Sequence, residues 1–113
     1  MEALMSHIAY QPKGPKLEFD TDYVVVGSGA GGATVAVQLA RGGASVTIVE
    51  AGPWRDPKDY PSSMYGTIRD QFDNWGMGVA RGKAIWPVIQ ARIMGGTTVI
   101  NSAIVVRTPG DIF

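Results

Sequence analysis

Six residues, Gly27-Ser28-Gly29-Ala30-Gly31-Gly32, limit the fold more than any other feature of this 113-residue chain. Glycine loses more backbone freedom on folding than any other residue, so a cluster of four in six positions needs a structural reason. The run before it, Tyr23-Val24-Val25-Val26, is short and continuously apolar, which predicts a strand buried on both faces. After it, Ala33, Ala36, Val37 and Ala40 fall at i, i+3, i+4 and i+7, one stripe of a helix. Gly42-Gly43 supplies the stop, and Ser45 to Val49 reads as a second buried strand closed by Glu50. Strand, tight turn, helix, strand is a βαβ unit, which implies a parallel sheet with a right-handed crossover. The expected class is therefore α/β, a partial Rossmann-like domain.

The turn satisfies the pattern GxGxxG, a weak signal alone that gains weight from its place between strand and helix. An acidic residue, Glu50, ends the second strand about twenty residues on, as a dinucleotide site requires. Each residue type has a task. Gly27 permits the turn, Gly29 lets backbone approach a diphosphate, and Gly32 lets helix and strand pack closely. Ser28, Ala30 and Gly31 complete the loop whose N–H groups, with the partial positive charge of the helix terminus, favour an anion. Glu50 is placed to accept hydrogen bonds from a ribose and to repel a 2′-phosphate. These residues leave NAD and FAD equally open.

The rest of the chain is less periodic. Residues 1–19 are polar and proline-broken and read as an arm, leaving 20–113 as the ordered part. From 52 to 82 no period survives, although 62–72 fits a short helix. Trp86-Pro87 predicts a break, 88–94 an extended stretch, 95–101 a turn or short helix, and 104–107 a strand. Thr108-Pro109-Gly110-Asp111 is a helix-start signal, with Ile112 and Phe113 opening its apolar face. A helix signalled so close to the last residue predicts that a further segment, cut off or separately encoded, completes the unit. The sequence supplies about four strands, fewer than the five or six of a doubly wound sheet.

A second motif, Ala91-Arg92-Ile93-Met94-Gly95-Gly96-Thr97-Thr98-Val99-Ile100-Asn101, separates the two dinucleotides. With Asp22 to Gly32 and Glu50-Ala51-Gly52-Pro53, it resembles the glucose–methanol–choline (GMC) oxidoreductases. The resemblance runs from about residue 22 to 110. It implies FAD as cofactor and oxidation of an alcohol to a carbonyl as the usual reaction. By the same resemblance Ala51, Gly95, Gly96, Thr97, Thr98, Asn101 and Ser102 join the cofactor-binding candidates. A glycine pair permits close approach, and hydroxyl and amide groups offer hydrogen bonds to a polar, anionic ligand. Met94 stands where another aliphatic is usual in that family, and Gln90-Ala91-Arg92 replaces a common Arg-Gly-Lys. The stretch 98–109 looks most like the branch acting on long-chain or bulky alcohols.

Composition excludes other classes. Ten basic and ten acidic residues balance without runs, so nothing draws the chain to nucleic acid or an anionic membrane. There are no cysteines, hence no disulfide framework or thiolate metal site. No apolar stretch suits a leader or a membrane span, and a cytoplasmic setting is expected. The family's proton-abstracting His lies near the C-terminus of its members. The only histidine here is His7, in the arm and without an orienting carboxylate, so no catalytic residue is assigned. The expected partners are a second segment or chain carrying the substrate domain and a small-molecule alcohol. Two other readings stay open, an NAD-binding module of a dehydrogenase and a non-catalytic nucleotide-binding assembly subunit.

Overall fold

The computed structural model describes residues 6–112. Strand β1 (Tyr23–Val26) leads through the glycine turn into helix α1 (Ala30–Arg41), which returns the chain to strand β2 (Val46–Val49). The strands pair in parallel, Tyr23 opposite Val46 through Val26 opposite Val49, so the predicted βαβ unit is present. Polar brackets fix this register at both ends. At the start, the Asp22 carboxylate accepts from the backbone N–H and the hydroxyl of Ser45, both at 2.8 Å, while Asp22 N–H donates to Ser45 Oγ at 2.9 Å. Those donors hold the Asp22 carboxyl below its usual range. At the far end Glu50 makes the corresponding link to Ser28.

Helix α1 ends as its glycines require. Gly43 N–H donates to Ala40 O and Ala44 N–H to Leu39 O, at 3.0 and 3.2 Å, a Schellman closure. Its pivot is Gly43, with φ of +91°. The packed face differs from the expected stripe. Ala36 is buried and Gly32, Ala33 and Leu39 are half-buried, whereas Val37 and Ala40 are exposed. Gly32 sets this rotation, because a Cβ there would stand 2.0 Å from Gly27 O. The helix turns its glycine side to the strand, and the apolar stripe shifts by one position. The strands are also not buried on both faces: Val24 is 59% and Val26 83% exposed. Among the described residues helix α1 is the element that packs closely on both, and it cannot cover both sides of them.

The aperiodic middle is an excursion with a closed base. After β2 come a 3₁₀ turn (Pro57–Asp59) and helix α2 (Met64–Gln71), which matches the short helix expected over 62–72. Ser63 caps it, its Oγ accepting from Gly66 N at 3.1 Å. The chain leaves through Phe72 and comes back through Ala91, which pair in an isolated antiparallel bridge. Asp73 N–H to Gln90 O and Arg92 N–H to Gln71 O flank that bridge at 2.8 and 2.9 Å. Between them lies a hairpin of β3 (Gly78–Arg81) and β4 (Ile85–Val88). Trp86-Pro87 is therefore part of a strand and not a break. A two-stranded ribbon leaves each strand one open edge, where a proline lacking N–H costs no ladder bond.

Two further expectations fail. Of residues 88–94 only Val88, the end of β4, lies in a strand, the rest holding the bridge at Ala91 and a turn, and 104–107 form no strand, with Val105 88% exposed. That segment finds no strand partner among the described residues. A 3₁₀ turn (Gly96–Ile100) and another (Gly110–Ile112) stand where a turn and a helix start were expected. Residues 1–5 of the arm and Phe113 lie outside the described residues.

Among the described residues the one fully buried large side chain is Ile93. Gly52 makes its seat possible, since a Cβ on residue 52 would lie 2.1 Å from Ile93 N, and Met94 N–H bonds Pro53 O at 3.1 Å. The loop after β2 and the entry to the second motif are thus packed backbone to backbone. Replacing Ile93 by Ala is expected to lower stability by about 2–5 kcal/mol, as read by denaturant unfolding.

Candidate functional site

The two motifs meet through one hydroxyl, that of Ser28, which bonds a residue 67 positions further on. Ser28 is 4% exposed. Its Oγ donates to Glu50 Oε2 at 2.6 Å and accepts from Gly95 N–H at 2.8 Å, and its own N–H donates to the same Oε2 at 2.8 Å. Gly96 lies directly against Gly29, where a Cβ would come within 2.9 Å of Gly29 Cα. The loop after β1, the end of β2 and the glycine pair therefore form one continuous backbone surface.

That surface borders an open cleft of about 440 Å³ lined by Gly29, Glu50, Ala51, Gly96 and Thr97, with Asp73, Gln90, Ala91 and Arg92 completing its walls. A neighbouring cleft of about 480 Å³ shares Ala51, Asp73 and Arg92 with it. Trp75 lines the second cleft, in the left-handed region at φ of 57° beside Asn74 at 45°. Sequence reasoning did not select Asp73, Gln90 or Arg92 as site residues. They enter because the Phe72–Ala91 bridge closes the excursion beside the glycines, a pairing no local pattern signals.

The cleft fits a dinucleotide diphosphate. A Cβ at Gly27, Gly29 or Gly31 would meet no atom within 4 Å, so these positions face open space that side chains would otherwise occupy. Helix α1 begins at Gly29 with no side-chain cap and no acidic residue in its first turn. Ala33 N–H is used by Gly29 O at 2.9 Å, but the amides just before it lack intrahelical acceptors, as at any helix start. Such a terminus favours an anion.

Glu50 is half-buried, with Oε2 used twice by Ser28 and Oε1 accepting from Gly52 N–H at 2.7 Å. A carboxylate has about four acceptor positions, so Oε1 retains capacity for a ribose hydroxyl. Burial pushes the Glu50 carboxyl up. The Ser28 hydroxyl and the Gly52, Ser28 and Ala51 amides outweigh burial and hold it below the usual glutamate range.

The other sequence-selected residues divide. Thr97 Oγ1 accepts from Ala91 N–H at 3.2 Å, which leaves its proton free to donate into the cleft it lines. Thr98 donates to Gly95 O at 2.6 Å and is tied to its own turn. Asn101 accepts from Ala103 N–H at 3.0 Å and donates to Ile104 O at 3.3 Å, holding a turn in which Ser102 and Ala103 both have positive φ. Ala30 and Gly31 are exposed at the helix start, and Ala51 lines both clefts. His7 packs at a tilt against Trp54 with ring centroids 5.2 Å apart, and Trp75 packs at a tilt against Tyr65 at 6.2 Å. Among the described residues no cluster of His, Cys, Asp and Glu could hold a metal, and no helix is long and apolar enough to cross a membrane.

Comparison with known proteins agrees with this geometry. Residues 22–55 match the family model described as FAD binding domain. An uncharacterized GMC-type oxidoreductase of Mycobacterium tuberculosis is 40% identical over 85 residues, covering 72% of this chain and 13% of that protein. A long-chain-alcohol oxidase of Arabidopsis thaliana is 30% identical over 95 residues, 84% of this chain and 12% of the oxidase. A 2-methyl-1,2-propanediol dehydrogenase of Mycolicibacterium austroafricanum is 49% identical over 41 residues, 36% of this chain and 7% of the dehydrogenase. The chain thus spans less than a fifth of the length of these relatives. No solved structure matches it significantly.

Two outcomes follow for Glu50. Substitution Glu50→Ala is expected to weaken FAD retention by roughly 1–3 kcal/mol, the scale of charged hydrogen bonds lost, measured by equilibrium dialysis. A carboxyl whose folded pKa is depressed stabilises above its unfolded value and loses that contribution as pH falls through the folded one. Stability at the turn is therefore constant near neutrality and declines beneath the ordinary glutamate range, and Glu50→Ala removes that part of the acid dependence in a pH series of melting curves.

Proposed function

From a chain that carries the FAD-binding segment of the GMC oxidoreductases, we propose that the protein is an FAD-dependent oxidoreductase that oxidises an alcohol to a carbonyl compound. The observation that carries this reading is the contact between the two motifs. Ser28 Oγ and Gly95 N–H lie 2.8 Å apart, and Gly29 and Gly96 together floor the cleft. A bare dinucleotide turn would need the first motif alone. When bound, FAD supplies the acceptor for a hydride leaving the alcohol carbon.

This chain's residues bind and orient. The Gly29 backbone and the uncapped start of α1 take the diphosphate, Glu50 Oε1 takes a ribose hydroxyl, and the Thr97 hydroxyl donates from the opposite wall. Thr98, Asn101 and Ser102 shape the turn that continues from the glycine pair, and Asn101 reaches the cofactor only if its local bonds exchange. The base that takes the alcohol proton comes from outside this chain. The remaining strands of the sheet and the substrate domain come from a further segment or chain. The exposed faces of β1 and β2 support this. Residues 1–19 then act as an arm ahead of the FAD-binding unit at 20–113.

The test is the visible absorbance of the intact purified protein, followed by turnover of a panel of short- and long-chain alcohols. A bound flavin spectrum bleached by an alcohol is the expected result. A colourless protein that retains NAD instead would overturn the reading.

A further inference from the structure

The sequence marks Ser28 as a residue touching the ligand, yet it does not line the cleft, and its hydroxyl both donates and accepts within the chain. Its single proton goes to Glu50 Oε2 and a lone pair receives Gly95 N–H. We infer that Ser28 is a positioning residue whose hydroxyl locks Glu50 and the Gly95–Gly96 turn into one rigid cradle, setting dinucleotide affinity without contacting the ligand. This rests on the reading that the cleft receives the ADP portion of FAD.

A hydroxyl suits this joint because it donates and accepts at once. Glu50 can only accept and the Gly95 amide can only donate, and both must be oriented independently of each other. With Oε2 held by the Ser28 hydroxyl and amide, the carboxylate cannot rotate, and its spare acceptor capacity stays on Oε1. With Gly95 N–H satisfied at 2.8 Å, Gly96 is pressed against Gly29, and the cleft keeps its floor. Deleting the hydroxyl leaves a part-buried amide without its acceptor and a carboxylate with one donor fewer, and both faults fall on surfaces that meet the ligand. A preorganised site loses affinity when its supporting contacts loosen, even if every contacting residue is retained.

The experiment measures FAD dissociation from the intact protein by flavin fluorescence on release, across a pH series. Wild type, Ser28→Ala, Ser28→Gly, Ser28→Thr, Glu50→Ala and the double variant Ser28→Ala/Glu50→Ala are compared. Either hydroxyl-deleting variant is expected to bind FAD about tenfold or more weakly, and Ser28→Thr, which keeps the hydroxyl, within about threefold of wild type. Release on acidification should begin at higher pH in Ser28→Ala, because Glu50 loses a donor that favours its charged form. The charged groups sharing its cleft, Asp73 and Arg92, are untouched, and the first turn of α1 brings no acidic residue.

In the Glu50→Ala background the serine substitution should add less than its full effect, since both act through one joint. If Ser28→Ala does not fold, Ser28→Gly carries the same comparison. Wild-type affinity and an unshifted pH profile in the hydroxyl-deleting variants would overturn the role of Ser28 alone, as would full additivity with Glu50→Ala. A wild-type protein that itself retains no FAD would overturn the cofactor reading and this inference together.

Discussion

Backbone can approach backbone here only where no side chain intervenes, and three such approaches build the site. Gly32 brings α1 onto the carbonyl of Gly27, Gly52 seats Ile93, and Gly96 rests on Gly29. Each would be blocked by a single methyl group. The first orients the helix whose terminus faces the cleft. The second anchors the returning excursion, and the third joins the second motif to the first. The cleft is what remains open between surfaces that have otherwise closed on one another.

Close approach creates a problem of satisfaction, because polar backbone groups at the junctions lose water and need partners. The chain meets it with the same device at both ends of the strand pair. A carboxylate on one strand end grips a serine on the other: Asp22 with Ser45 at the entrance, Glu50 with Ser28 at the exit. The entrance pair is exposed and sets register. The exit pair is half-buried, and its serine reaches a third element through Gly95. Register, carboxylate orientation and the position of the glycine pair are thereby coupled, so the geometry of the site follows from the geometry of the sheet.

Much of this was legible from residue order. Tyr23–Val26, the glycine turn, α1, β2 and Glu50 are local patterns with short-range causes, and the structure reproduces them. The burial of β1 was not legible, because the valines there read as a two-sided core strand, whereas among the described residues α1 packs on one side of the pair. The face of α1 shifted because Gly32, an apparent gap in the apolar stripe, is the point of tightest packing. The hairpin at 78–88 was missed because Trp86-Pro87 looked like a stop, and an open edge tolerates proline. The cleft walls Asp73, Gln90 and Arg92 depend on the Phe72–Ala91 bridge, a pairing that no periodicity encodes. The inward use of the Ser28 hydroxyl likewise needed coordinates, since the turn pattern constrains its glycines and leaves that position free.

The central claim is that the two glycine motifs close around a diphosphate at the start of α1. A crystal structure of the intact protein with FAD tests it most directly. The diphosphate density is expected over the Gly29 amide region, on the floor that Gly29 and Gly96 form together, with the adenosine ribose against Glu50. Density for the cofactor elsewhere, with the cleft beside Gly29 and Glu50 empty, would contradict it.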